Sequence, residues 1–197
     1  MGEKVKGNND GKNLLRIFIA IDMPRAVKDE IREIQGTLRD LDLFRGTYVD
    51  PEHVHLTLQF VGYVEPVALA PIKKLLQGVS FKPIEAKLGN VGAFGREAFV
   101  KVIWLDLVGS GIVELAHKIE KVLSLGTLER KRPFQSHITL ARVKDSRDSL
   151  VLRAALETIV VEPVSFIVNE FVLKQSTLTS EGPVYIDIER YEADLPE

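Results

Sequence analysis

The pattern His-apolar-Thr-apolar occurs twice in this chain, as His55-Leu56-Thr57-Leu58 and as His137-Ile138-Thr139-Leu140, with the two His 82 residues apart. On a β-strand, successive side chains point to opposite faces. Each stretch therefore sets an imidazole beside a hydroxyl on one face and sends two aliphatics into whatever lies behind. The chain has four His and eight Thr, and 45% of its residues are hydrophobic. By template counting, a given His meets the pattern with a probability of roughly 0.8%, and two hits among four have odds of roughly 1 in 2,000. Chance is a poor explanation, and two such pairs could flank one small polar group if the fold sets them opposite each other.

The elements around the motifs repeat in order. Leu14 to Ile21 reads as a buried strand. Asp22 and Pro24 signal the start of a helix over Arg25 to Leu41, with an apolar stripe of Val27, Ile31, Ile34, Leu38 and Leu41. Gly46 and Pro51 punctuate a turn, and His53 to Phe60 is the first motif strand, with Leu56, Leu58 and Phe60 on its core face. A second helix is expected over Val67 to Leu76 and a strand over Phe81 to Leu88. Gly89, Gly92 and Gly95 then predict an irregular loop. Glu97 to Val108 is a strand, Ser110 a cap for a helix over Ile112 to Leu123 (stripe Ile112, Leu115, Ile119, Val122), and Gln135 to Val143 the second motif strand. A short helix over Ser149 to Ile159, a long strand over Pro163 to Gln175, a turn at Gly182-Pro183 and a closing strand over Val184 to Tyr191 complete the chain. Strand, helix, motif strand, helix, strand thus runs once and then again from about Ala98, the layout of a duplicated lobe with pseudo-twofold symmetry.

A length of 197 residues suits one domain, or two small lobes sharing a core. No apolar run approaches the length that crosses a bilayer. Residues 1–13 are polar and Gly/Asn-rich, without the apolar stretch of a signal peptide, and read as a flexible tail ahead of a single domain over 14–197. These features predict a cytoplasmic protein. The absence of Cys excludes disulfides and zinc–thiolate centres. A net charge of −2 argues against a duplex nucleic-acid binder. Arg130-Lys131-Arg132 before the second motif, with Arg142, Lys144 and Arg147 after it, form either a solvated basic loop or the surroundings of a phosphate-sized anion near His137.

Two His and two Thr, with no acidic triad, point to acid–base chemistry on a phosphate ester. His titrates near neutrality, so one imidazole can serve as base while another serves as acid. The Thr hydroxyls suit non-bridging oxygens on which negative charge redistributes. His53-Val54-His55 imitates a metal pair, but no third ligand accompanies it, and the chemistry calls for no metal or cofactor. His117 sits in mid-helix as a bystander.

The same residues carry a resemblance. Arg16-Ile17-Phe18-Ile19-Ala20-Ile21, the run from Pro51 to Gly62, Val91-Gly92-Ala93-Phe94, His137-Ile138-Thr139-Leu140-Ala141-Arg142, Gln175-Ser176-Thr177-Leu178 and Gly182-Pro183-Val184-Tyr185 occur in the order found in the two-histidine (2H) phosphoesterases. The chain resembles their RNA 2′,3′-cyclic phosphodiesterase branch, also called the 2′–5′ RNA ligase family. The resemblance implies an α+β, bilobal, LigT-like fold: two pseudo-symmetric lobes, each an antiparallel β-sheet with flanking helices, around a central cleft. It implies metal-independent hydrolysis of a 2′,3′-cyclic phosphate to a 2′-phosphate, with His55 as proton donor, His137 as proton acceptor, and Thr57, Thr139 and Arg142 binding the phosphate. Strict alternation puts Arg142 on the face opposite His137, so it must reach the cleft from a strand end or a bulge. His53, where the family often has Asn, and Ser136, where Pro is common, are departures that bear on substrate preference. Phe94, Phe134 and Tyr185 are candidates to stack on a base. The expected partners are RNA 3′ ends or small oligonucleotides with a 2′,3′-cyclic phosphate, and nucleotides, for a monomer without membrane contact. A 2′–5′ RNA ligase and a non-catalytic binder of nucleotides or RNA ends remain alternatives.

Overall fold

A computed structural model describes residues 14–124, 133–180 and 182–194. In chain order the elements are β1 (Leu15–Asp22), α1 (Arg25–Asp40), β2 (Phe44–Tyr48), β3 (His55–Val64), α2 (Leu69–Gln77), β4 (Ile84–Arg96), β5 (Phe99–Val108), α3 (Ile112–Ser124), β6 (Ile138–Ser146), α4 (Ser149–Glu157), β7 (Ser165–Val168), β8 (Glu170–Thr179) and β9 (Gly182–Glu192). Short 3-10 turns at Pro51–His53 and Pro66–Ala68 precede β3 and α2. The expected tail over 1–13 and the basic run Arg130-Lys131-Arg132 lie outside the described residues.

Among the described residues nine strands form one antiparallel sheet in the order β7-β4-β5-β6-β3-β1-β8-β9, with β2 pairing β6. The two motif strands are neighbours at its middle, and around them the sheet divides into halves, β3-β1-β8-β9 and β6-β5-β4-β7. Among the described residues a single ladder pair, Leu56 with Ile138, joins the halves. The apolar residues of both motifs face the core: Leu56, Ile138 and Leu140 are fully buried and Leu58 nearly so. Val27, Ile31, Ile34 and Leu38 of α1, with Ile112, Leu115 and Ile119 of α3, belong to the same apolar cluster. An amphipathic stripe at helical spacing needs such a sheet face to be buried against.

Several expectations are corrected. The halves are not successive lobes of sequence. β4 from the first half of the chain pairs with β5, and β8 from the second half pairs with β1, so the duplicated units exchange a strand. The strand expected over Pro163 to Gln175 breaks at Asn169, where the chain passes from β7, at one end of the sheet order, to β8 in the other half. The glycines read as a loop lie inside β4. Gly92 is there because the Trp104 ring on β5 covers it; a Cβ would lie 2.5 Å from Trp104 Cη2. Gly46 belongs to β2, where the Arg142 carbonyl leaves no room for a side chain. The first motif strand begins at His55, since His53 closes the 3-10 turn, and Asp22 ends β1 instead of capping α1. Ser110 stands one residue short of the position preceding α3, which Gly111 occupies.

Candidate active site

His55 and Thr57 on β3, and His137 and Thr139 at and beyond the start of β6, are all half-buried while the residues between them are buried. Alternation thus places each His-Thr pair on the face away from the core. The seam pair Leu56–Ile138 then fixes their relation. In an antiparallel register it sets His55 alongside Thr139 and Thr57 alongside His137.

The two imidazoles are held in the same way. His55 Nδ1 lies 2.9 Å from the His53 carbonyl, and His137 Nδ1 lies 2.8 Å from the Gln135 carbonyl, each two residues back along the chain. A carbonyl oxygen only accepts, so Nδ1–H donates in both rings and Nε2 is left to give or take a proton. Each ring is also braced by aromatic neighbours. Phe18 and Tyr185 lie 5.0 and 5.1 Å from His55, and Phe94 lies 4.8 Å from His137 in a T-shaped contact. Burial pushes His55 below its ordinary value, and Lys174 and Arg142 push the same way, against the His53 carbonyl and Asp22.

Both motif strands carry a bulge one residue after the Thr. Opposite β1, Thr57 pairs Ala20 and Gln59 pairs Ile19, leaving Leu58 as the extra residue. Opposite β5, Thr139 pairs Trp104 and Ala141 pairs Ile103, leaving Leu140 extra. Two successive residues then face the core (Leu58 and Gln59, Leu140 and Ala141), and the alternation restarts with the opposite phase. Arg142 emerges on the His face in this way, within electrostatic reach of His55. Phe60 emerges at the matching position of the first half. Expected in the core, it is 61% exposed, with its ring 6.2 Å from Phe18. Both residues stand five places after their His, and that shared offset is the signal by which Phe60, assigned to the core by strict alternation, could have been recognised.

Of the other residues singled out, Phe94 and Tyr185 pack directly on the histidines, whereas Phe134 joins the edge of the core. His53 presents its ring to Tyr185 at 6.0 Å, and His117 is exposed on α3. A cavity of about 240 Å³ opens beside His55, lined by Asp22, Lys28, Glu52, His53, Lys174 and Tyr185 among others. Lys174, missed in the sequence, is buried there between Asp22 at 2.9 Å and Asp187 at 2.5 Å. Among the described residues no group of three His, Asp or Glu is arranged to hold a metal ion. No helix among them is long and apolar enough to cross a membrane.

The architecture and motifs recur in known proteins. A solved structure, TT0787 of Thermus thermophilus, superimposes with a TM-score of 0.72 at 28% identity, covering 90% of this chain and 97% of that one. An RNA 2′,3′-cyclic phosphodiesterase of Archaeoglobus fulgidus is 32% identical over 90% of this chain and the whole of its own length. One from Aeropyrum pernix is 39% identical over 70% of this chain and 80% of its own. The family model for LigT-like phosphoesterases matches residues 21–104 and 106–185, once over each motif. With matches that together span most of the chain and both His-Thr pairs on one face of the sheet, the chain belongs to the LigT-like phosphoesterase family.

Proposed function

We propose that this chain is a phosphodiesterase that opens 2′,3′-cyclic phosphates at RNA ends, leaving a 2′-phosphate. The reading rests on one observation above all, the matched fixation of two imidazoles through Nδ1 with both Nε2 atoms left for proton transfer. Relatives sharing about a third of its residues across most of its length are named RNA 2′,3′-cyclic phosphodiesterases. In the proposed reaction a water oxygen attacks phosphorus. Its proton passes to His137 Nε2, the bond to the ribose 3′ oxygen breaks, and His55 gives that oxygen a proton. Thr57, Thr139 and Arg142 hold the non-bridging oxygens, whose charge grows in the transition state. Phe60, apolar and exposed beside this centre, offers a face for a base.

The test is phosphorus NMR of a 2′,3′-cyclic nucleotide incubated with the protein, which identifies the product as 2′- or 3′-phosphate. His55→Ala and His137→Ala each lower kcat by about 10²–10⁴-fold, with far-UV circular dichroism unchanged. The proton-transfer scheme employs no metal, so the wild-type rate is the same in EDTA. Near wild-type turnover in either alanine variant overturns the proposal.

A further inference from the structure

The pseudo-twofold relation between the sheet halves makes an equivalence visible that the sequence conceals. Asp22 is the ladder partner of His55. In the other half Leu105 pairs Ile138, so the next residues along the antiparallel ladder are Asp106 and His137. Each histidine therefore has a carboxylate beside it on the neighbouring strand. Their surroundings differ. Asp22 is compensated by Lys174 at 2.9 Å and by Arg190 at 3.7 Å. Asp106 is half-buried, and among the described residues no Lys or Arg bears on it.

The register explains the difference. In the first half Phe60 pairs Phe18 and Phe18 pairs Lys174; in the second, Arg142 pairs Val102 and Val102 pairs Phe94. Lys174 and Phe94 hold equivalent places, and so do Phe60 and Arg142. Where one half sets a cation against its carboxylate, the other sets a phenyl ring against its histidine. Asp106 also has a prepared seat, because its side chain lies over Gly89, where a Cβ would come 3.0 Å from Asp106 Cβ and 3.2 Å from Oδ2.

We propose that Asp106 is a positioning residue for His137: a carboxylate with no Lys or Arg partner among the described residues, which stabilises the imidazolium formed when His137 takes a proton from water, and so makes this histidine, not His55, the base of the pair. The inference rests on the two-histidine phosphodiesterase reading above. Around His55 stand Asp22 from β1, Lys174 from β8 and Arg142 from β6, and beside His137 stand Asp106 from β5 and Phe94 from β4. Burial favours the neutral form of Asp106, and His137 pulls the other way, toward the ion pair. A carboxylate beside a base histidine stabilises the imidazolium without itself being protonated.

The experiment combines NMR titration of the imidazole C–H resonances with steady-state hydrolysis of a 2′,3′-cyclic nucleotide, for wild type, Asp106→Asn and Asp106→Glu. In Asp106→Asn the titration midpoint of His137 falls by about one pH unit while that of His55 stays in place. The same variant loses roughly tenfold in kcat with KM little changed. Asp106→Glu, which keeps the charge, restores the midpoint. Gly89→Ala, which crowds the carboxylate without removing it, moves the midpoint in the same direction by less. An unmoved His137 midpoint in Asp106→Asn overturns the inference whether or not kcat falls, because a purely structural role predicts that result. Absence of hydrolysis by the wild type overturns the phosphodiesterase reading instead and leaves the titration as an independent test of the pairing.

Discussion

A histidine that must exchange protons gains from being partly withdrawn from water, because small changes in its neighbours then have large effects. His55 is in that position. Burial disfavours its cation, and Lys174, locked between Asp22 and Asp187, adds a positive charge that it cannot move away from. The limb of the kcat/KM profile belonging to His55 is therefore expected below the ordinary value of about 6.5. Lys174→Met removes one of the charges holding it down, so that limb moves to higher pH. The same change leaves two aspartates without their buried partner and destabilises the protein by roughly 1–3 kcal/mol. A pH series for both proteins, with urea unfolding alongside, checks both statements, and a limb that stays in place means Lys174 serves the fold alone. Part of this was readable in advance. The His and Thr of each motif share a face because alternation along a strand is a local rule. Asp22, Asp106 and Lys174 were silent, since their meaning lies in strands paired across the sheet and no local pattern encodes such a partner.

At the scale of elements, the two bulges decide what the site contains. Without an extra residue at Leu58 and Leu140, the residues five places after each His would face the core, where an arginine is costly and a phenylalanine ordinary. Strict alternation therefore sent Phe60 into the core, while the Arg at the equivalent place demanded a bulge. A charged residue exposes the irregularity and an apolar one hides it. β4 was obscured for a related reason. Glycine reads as a loop signal, but in this strand it answers to a ring on the next one. Gly92→Ala forces the Trp104 indole aside, with Phe94 packed 5.2 Å from that ring and His137 beyond it. The expected cost is about 1–3 kcal/mol, with a change in intrinsic fluorescence, for which Trp104 is the only tryptophan. A drop in kcat accompanies it if the aromatic brace holds His137 in place. An unchanged emission spectrum and unchanged stability would show that β4 has room to spare there.

For the whole molecule, the exchange of β4 and β8 between the duplicated units matters more than the duplication. Two consecutive lobes would each own a core and could open separately, but here each half of the sheet is completed by a strand from the other half of the chain. Among the described residues only Leu56–Ile138 bridges the halves through the ladder, so the seam depends on side chains that cross it. The buried Gln35 of α1 is one. Its Nε2 donates to the carbonyl of Val49 at 2.7 Å and to that of Leu140, the bulged residue, at 3.0 Å. Glu30 of the same helix accepts from the Glu162 backbone N–H at 2.9 Å. A helix following β1 is thereby tied to the strand that carries the second motif. We propose that the described chain unfolds as one cooperative unit, with equal calorimetric and van't Hoff enthalpies. Gln35→Leu leaves the Val49 carbonyl without its amide donor and weakens the hold on the bulge, at a cost of about 1–3 kcal/mol. For a protein of this size each kcal/mol lowers Tm by about 2–4 °C. Differential scanning calorimetry of both proteins decides the matter: a single transition displaced by several degrees is expected, whereas a trace that splits in two on losing Gln35 means the lobes are separate folding units that the helix only fastens together.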